Sequence, residues 1–517
     1  MLRKIRISVS ILFFLLICLY FVDFSGLLSN KLHFLGEIQL IPAILSLNWL
    51  VLLVLLSLTF IFGRIYCSSV CPLGIYQDII SWLRKRLSNK KHKRKYKYLK
   101  PLNILRWLFL GITVIAFVFG FTFLIGLLDP YSIFGRIMVH IFKPVYMAGN
   151  NILASVLNSM GNYTFYTVTI YLLSIISTIL SLIMIVLIGI LSWKNGRIYC
   201  NTVCPVGTFL GLISKFSIYQ IRFDKVKCIL CGKCARECKA SCIDFRNMKV
   251  DTSRCINCFN CIEACSENGL QYKSSIMGHS RVKADNHQHN SEVSNVTFNY
   301  RRRFLTLTFA ASLLSIKLFA DKVLHLGEKK DVKRKKPIMP PGAMDINKFS
   351  RQCTSCHLCV SKCPAQIIEP SLFEYGIGGI MQPMLNFTNQ FCNYDCTICA
   401  DVCPTGALSS IKKETKHHTQ IGRVQLYLEN CIVYTDETSC GACSEHCPTQ
   451  AVHMIPYKNH LTIPEINQEI CVGCGGCEFI CPALPWKAIF VEGQDKHTTI
   501  ALEFDEKEEI ELDDFGF

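Results

Sequence analysis

The spacing of the cysteines constrains this chain more than any other feature. CILCGKCAREC places Cys228, Cys231, Cys234 and Cys238, and CINCFNCIEAC places Cys255, Cys258, Cys261 and Cys265. Each run is C-x2-C-x2-C-x3-C. Three thiolates two residues apart on a curled loop reach three irons of one cube. A fourth, carried past the loop by a helical turn, reaches the cube of a neighbouring motif. The spacing therefore predicts one [4Fe–4S] cluster on Cys228, Cys231, Cys234 and Cys265, and a second on Cys255, Cys258, Cys261 and Cys238. Zinc sites use paired C-x2-C groups and stop at four ligands, a pattern these runs exceed. Lys239 and Ser266 stand where proline ordinarily follows the fourth cysteine, and Cys242 is an extra thiol able to replace Cys238 as ligand.

The theme returns four times further on. CTSCHLCVSKCP holds Cys353, Cys356, Cys359 and Cys363; CNYDCTICADVCP holds Cys392, Cys396, Cys399 and Cys403. CIVYTDETSCGACSEHCP holds Cys431, Cys440, Cys443 and Cys447 after a long first gap, and CVGCGGCEFICP holds Cys471, Cys474, Cys477 and Cys481. Sixteen cysteines make four more cubes, about six in all. A nested arrangement, first motif with fourth and second with third, is the expectation for how they share ligands. CTSCH also matches the c-type haem attachment motif. Its embedding in a full cluster motif makes His357 an ordinary loop residue beside a cluster. A disulfide framework fits poorly, because the chain is large and its thiols are regularly grouped.

Half of the residues are hydrophobic, and the mean hydropathy is +0.31. Four segments have the length and apolarity to span a bilayer, which takes about 20 residues: Ile7–Leu28, Ile38–Phe62, Trp107–Leu128 and Val168–Trp193. Arg3, Lys4 and Arg6 precede the first, and no small-residue cleavage site follows it, so it reads as an anchor. Of the net charge of +17, ten Lys or Arg and no acid lie between Arg84 and Lys100. Such a run can bind nucleic acid, but beside a span it marks the cytoplasmic side, and no nucleic-acid partner is expected. The connection Ser29–Glu37 carries one Lys, and Asp129–Thr167 only Arg136 and Lys143. Both ends of the four-span unit then face the cytoplasm.

GRIYCSSVCPLG from Gly63 and GRIYCNTVCPVG from Gly196 are identical at nine of twelve positions, each after an apolar segment. The unit is thus two copies of span, outer loop, span and cysteine turn. Such repeats commonly pack about a pseudo-two-fold axis, which brings Cys67, Cys71, Cys200 and Cys204 to one level. The x3 spacing on a helix sets both thiols of a turn on one face. Three readings stay open for them: a further metal site, a redox-active dithiol pair, or structural thiols. Cys18, within the first span, reads as an apolar filler.

The fold class expected is a polytopic α-helical membrane domain of four spans followed by ferredoxin-like α+β [4Fe–4S] domains. The divisions are a membrane domain over 1–225, a two-cluster ferredoxin over 226–275, a linker over 276–345, a four-motif domain over 346–500 and a tail over 501–517. The linker contains RRRFLTLTFAASLLSIKLFA, residues 301–320, apolar over 17 residues with Lys317 inside. The last fifteen residues carry eight acids and one Lys.

Four spans, two CxxxCP turns and a two-cluster ferredoxin resemble the NapH family of membrane quinol dehydrogenases; NosR and CcoG share the CxxxCP feature. The four-motif segment with its long-gapped third motif resembles NapG, and together these make the chain similar to a NapH–NapG fusion. The resemblance implies a multi-pass protein of the bacterial inner (cytoplasmic) membrane, working in anaerobic respiration. Its donor would be membrane quinol and its acceptor a cytochrome or respiratory reductase. It also likens RRRFL to a twin-arginine export signal, which would put the C-terminal domain on the outer face and leave the first ferredoxin in the cytoplasm. The mid-chain position and the basic stretch Lys329–Lys336 depart from that pattern.

Quinol docked between the spans gives up two electrons and two protons, and clusters in series conduct the electrons singly. The chain carries no flavin or nicotinamide fingerprint and no nucleophile elbow, so the last acceptor is another protein. No span carries an internal His or carboxylate pair to mark a quinol site; Asp23, Arg106 and Asp129 lie near span ends and read as anchors. The alternative is an assembly or maturation factor supplying electrons or metal to a reductase, with the CxxxCP cysteines as working thiols. A third reading is a relay from a soluble ferredoxin.

Overall fold

Apolar sequence becomes helix first. The computed structural model describes residues 1–23, 29–87, 96–170, 174–274 and 332–500. The segment 301–320, the middle of the basic loop and the acidic tail lie outside the described residues. The N-terminal unit is built from α1 (Leu2–Val22), α2 (Leu40–Leu45), α3 (Trp49–Phe62), α4 (Ile65–Ser69), α5 (Pro72–Leu87), α6 (Asn103–Phe119) and α7 (Thr122–Leu128). There follow α8 (Pro130–Ile137), a π-helical turn over Met138–Phe142, α9 (Lys143–Ser159), α10 (Ile175–Asn195), α11 (Ile198–Thr202) and α12 (Pro205–Ser214).

Of the four expected spans, α1 and α10 are single helices long and apolar enough to cross a membrane. The other two are interrupted. The second splits at Leu47, whose φ is 54°, and restarts where Asn48 Oδ1 accepts from the Val51 N–H. The third breaks at Gly120, left-handed at the end of α6. The stretch Asp129–Thr167, expected as an outer connection, is largely helical, and the line of α7 turns by 76° into α8 and α9. Asp129 drives that turn. Its carboxylate accepts from the Ser132 N–H at 2.8 Å and the Ser132 hydroxyl at 2.7 Å, with Pro130 in the first helical position.

The outer helices are inverted relative to a soluble protein. On α10, Ser177, Ser181 and Ser192 are buried, while Leu182, Val186 and Ile190 are about half exposed. An apolar outer surface of this extent marks a face that meets a membrane or another protein. The polar groups turn inward because α1 supports α5 and α6 supports α12, while α5 packs on α10 and α12 packs on α3. Each repeat's post-cysteine helix therefore lies against the other repeat's span, and the two copies interlock.

After α12 comes a small ferredoxin-like α+β unit. β1 (Tyr219–Phe223) pairs antiparallel with β4 (Leu270–Ser274), and β2 (Ile243–Asp244) with β3 (Lys249–Val250). The C-terminal domain repeats this economy of short sheets. β5 (Ile368–Pro370) pairs with β6 (Pro383–Leu385), β7 (Thr419–Leu426) with β10 (Ile489–Thr499), and β8 (Val452–Pro456) with β9 (Thr462–Ile466).

The two cluster-motif domains grip opposite ends of α1. Arg3 pairs with Glu263 of the first at 2.5 Å. At the far end Asp23 pairs with Lys362 of the second at 3.0 Å, and the Ser361 hydroxyl donates to the Phe21 carbonyl. At 1.5 Å per residue these grips are about 30 Å apart.

Candidate metal centres

The loops carry their own geometric signature. In the motif from Cys228, the left-handed residues are Leu230 and Gly232; from Cys255 they are Asn257 and Phe259; from Cys353, Ser355 and His357; from Cys471, Gly473 and Gly475. The positions are the same in all four motifs: two residues after the first cysteine, and one after the second. Holding a non-glycine residue there costs roughly 1–2 kcal/mol, so a repeated left-handed pair reflects a required curl. It turns three sulfurs toward a common centre. The motifs from Cys392 and Cys431, with longer first gaps, lack the pair, and Thr397 and Gly441 have negative φ.

Four cavities report which thiols converge. One is lined by Cys228, Cys231, Cys234 and Cys265, the set expected from spacing. A second is lined by Cys255, Cys258, Cys261, Cys238 and Cys242. Cys238 and Cys242 lie with sulfurs 3.6 Å apart. The Cys242 side chain and the N–H groups of Cys242, Ala240 and Ser241 pull the Cys238 thiol down to about 7, while Cys238 pushes Cys242 up. Cys238 is accordingly the readier thiolate.

In the C-terminal domain the nested expectation is corrected. One cavity holds Cys392, Cys396 and Cys399 with Cys363, and another holds Cys431, Cys440 and Cys443 with Cys481. The remaining thiols follow suit: Cys403 faces Cys356 and Cys353, and Cys447 faces Cys471, Cys474 and Cys477. Neighbouring motifs pair, first with second and third with fourth. The β5–β6 hairpin folds the chain back between the first two motifs, so the adjacent loop arrives before any distant one.

These quartets suit a cationic cluster core. Burial pushes the Cys234 thiol up to about 11 and the Cys443 thiol up to about 12, and neighbouring thiols of the same ring add to it. Four thiolates held close together repel one another, and a strongly positive centre relieves that repulsion. Backbone donors point at the sulfurs, with the Gly269, Leu408 and Ala451 N–H groups donating to Cys265, Cys403 and Cys447 at 3.2–3.4 Å. Among the described residues no three His, Cys, Asp or Glu side chains converge as a single ion requires.

Cys67, Cys71, Cys200 and Cys204 come together where the repeats interlock, in one core with Cys234, Cys238, Cys255, Cys258 and Cys261. The contacts are reciprocal. Arg64 donates to the Cys200 carbonyl at 3.2 Å, and Arg197 donates to the Cys67 carbonyl at 2.5 Å. A Cβ on Gly74 would meet Arg197, and one on Gly207 would meet Arg64.

His357 is more than a loop residue. Its Nδ1 lies 2.7 Å from His140 Nε2, and its Nε2 lies 2.8 Å from the Met381 carbonyl. In the neutral pair, His357 Nε2–H donates to Met381 and His140 Nε2–H donates to His357. With Arg136 donating to the Ser355 carbonyl at 3.2 Å, this pins the first C-terminal cluster loop onto α8 and the π turn. The span-end residues resolve as contacts: Asp23 to Lys362, Arg106 to Ser253, and Asp129 as the α8 cap. Cys18 packs, partly buried, against the C-terminal core.

Comparison with known proteins agrees with this inventory. A 4Fe-4S binding domain family matches residues 45–91 and again 177–223. Two 4Fe-4S dicluster domain families match residues 352–408 and 438–484. The first dicluster match spans the first and second motifs whole, and the second runs from within the third motif, after Cys431, to the end of the fourth. Ferredoxin-type protein NapF of Escherichia coli K12 is 29% identical over 145 residues, 28% of this chain and 80% of NapF. Methylamine utilization ferredoxin-type protein MauM of Methylorubrum extorquens is 30% identical over 154 residues, 28% of this chain and 68% of MauM. Ferredoxin-type protein NapG of Escherichia coli K12 is 29% identical over 160 residues, 28% of this chain and 65% of NapG. No solved structure matches the chain. Multiple [4Fe–4S] clusters are its cofactors.

Proposed function

The chain belongs to the family of ferredoxin-type 4Fe-4S proteins that includes MauM, NapF and NapG, and on that premise we propose that it conducts electrons across a bacterial inner membrane. The donor is membrane quinol and the acceptor a redox partner protein, a cytochrome or respiratory reductase. The observation that carries the reading is the grip on both ends of α1: Arg3 on Glu263, Asp23 on Lys362. A helix about 30 Å long matches the hydrocarbon thickness, so domains at its two ends face different compartments. The basic flanks, Arg3 to Arg6 and Arg84 to Lys100, support a cytoplasmic position for the first ferredoxin. The C-terminal domain then lies on the outer face, the side to which the twin-arginine-like run RRRFL would direct it.

In this reading the chain joins a NapH-like membrane unit and a NapG-like unit in one polypeptide, and the twenty-four cysteines of the six motifs hold six clusters. When bound, the clusters supply one-electron carriers in series. The protein's part is to hold them close and dry. Donors to sulfur, such as the Gly269 N–H, favour the more negative reduced state and so set each potential. The maturation reading needs accessible thiols in the CxxxCP turns, yet Cys67, Cys71, Cys200 and Cys204 are each only 3–4% exposed.

The test is anaerobic. The full chain in detergent is mixed with a menaquinol analogue and the clusters are followed by EPR. Reduction that a quinone-site inhibitor blocks supports the proposal. Clusters that dithionite reduces and quinol leaves oxidised would reject quinol as donor.

A further inference from the structure

The CxxxCP thiols belong to none of the six centres, yet three of the four sulfurs have a donor. Arg64 Nη2 lies 3.7 Å from Cys67 Sγ, and Gln77 Nε2 lies 3.2 Å from Cys200 Sγ. The Gly207 N–H donates to Cys204 Sγ at 3.3 Å, and Gly74 stands at the matching position after Cys71 in the other repeat. Donors converging on sulfur stabilise thiolate, the form that binds metal.

The charges around them require an anion. Arg64 and Arg197 are wholly buried, and Arg6, Lys239 and Asp78 nearly so. Asp78 alone serves Arg6, Arg197 and Lys239, at 3.0, 2.9 and 3.3 Å. Arg64 has no carboxylate partner among the described residues. It is held by Asn201, the Ser253 carbonyl and the Cys200 carbonyl, with the Cys67 sulfur beside it. Four buried cations thus face one carboxylate. With neutral thiols the surplus is uncompensated, which burial penalises heavily. A cubane ligated by four thiolates is an anion, of net charge about −2 when oxidised, and offsets most of it.

We infer that Cys67, Cys71, Cys200 and Cys204 together ligate a seventh [4Fe–4S] cluster at the interface of the two repeats. Each repeat brings two thiols, and a cube takes four. The reciprocal Arg64–Cys200 and Arg197–Cys67 contacts hold the turns face to face. The position deepens the electron-transfer reading on which this inference rests. Toward the first ferredoxin, Arg64 reaches the Ser253 carbonyl, and Asn201 donates to the Ala240 carbonyl at 3.2 Å. Toward the C-terminal domain, the Tyr199 hydroxyl donates to the Leu128 carbonyl at the head of α8, whose last turn holds Ser355 through Arg136. Eight helical residues are about 12 Å. Ile133 and Ile137 of α8 pack in the core of the CxxxCP turns, and Tyr131, Phe134 and Met138 pack in the core of Cys353 and Cys359. The seventh centre is the midpoint of the wire.

Iron and acid-labile sulfide are counted on the anaerobically purified full chain and on the double variant Cys67→Ser, Cys200→Ser. The expected result is about 28 irons falling to about 24, with one EPR component lost and the others retained. Equal iron in both proteins, or a fall of only about two, overturns the assignment. Gln77→Leu covers the case of a double variant that does not fold. It keeps all ligands and removes one donor to sulfur, so iron stays the same and one midpoint potential falls. All potentials unchanged overturns the assignment. The iron count does not depend on quinol, so failure of the donor reading and failure of this site are separately visible.

Discussion

Arg64 Nη2 donates to the carbonyl of Cys200, 3.2 Å away in space and 136 residues along the chain. The contact locks one cysteine turn against the other and brings a buried positive charge to the thiols of both. Replacing the cation with a neutral donor, Arg64→Gln, should make the nearest cluster harder to reduce, because a nearby positive charge favours the more negative reduced state. An EPR-monitored redox titration is expected to show one midpoint falling while the rest hold.

Asp78 is the single carboxylate for Arg6, Arg197 and Lys239. Burial opposes its ionisation, but those cations hold its carboxyl well below the usual range. Asp78→Asn strips them of their counter-ion and should cost roughly 3–5 kcal/mol, seen as a lower thermal midpoint in detergent. A depressed carboxylate contributes stability above its unfolded value, about 3.9, and loses it as pH falls toward the folded value. The gap between the two proteins should therefore be constant from about pH 6 to 8 and close only in acid.

Lys416 Nζ lies 3.4 Å from Cys392 Sγ and donates to the carbonyls of Asn393 and Cys396 at 2.5 and 2.6 Å. Lys416→Met should lower the potential of the cluster on Cys363, Cys392, Cys396 and Cys399 alone. Unaltered potentials in the redox titration would place that cluster elsewhere.

Ligand sharing between neighbouring motifs is open to direct counting. Cys363 and Cys392 line one cavity, so the double variant Cys363→Ser, Cys392→Ser should cost about four irons. Under nested sharing the same substitutions would strike two clusters and cost about eight.

Motif spacing made the curled thiol loops legible, because three thiols at x2 intervals impose the same left-handed pair on loops as different as CILCGKC and CTSCHLC. It could not reveal which fourth thiol crosses over. That depends on the β5–β6 return, whose strands are three residues each. Hydropathy located α1 and α10 but missed α8, whose eight residues are all buried in a stretch read as an outer loop. The signal was present in Asp129-Pro130 followed by Ser132, a capped helix start. The inward serines of α10 and the His140–His357 contact were beyond reach, since composition does not say which side of a helix meets its neighbours.

The claim that joins these results is that electrons pass from one face of a membrane to the other through this single chain. Its most direct test uses sealed proteoliposomes of the full chain with ferricyanide trapped inside and dithionite, which does not cross the bilayer, added outside. The account predicts that the internal ferricyanide bleaches, and that Cys67→Ser with Cys200→Ser slows the bleaching to the rate of empty vesicles. Internal ferricyanide that stays oxidised while the externally accessible clusters become reduced would contradict it.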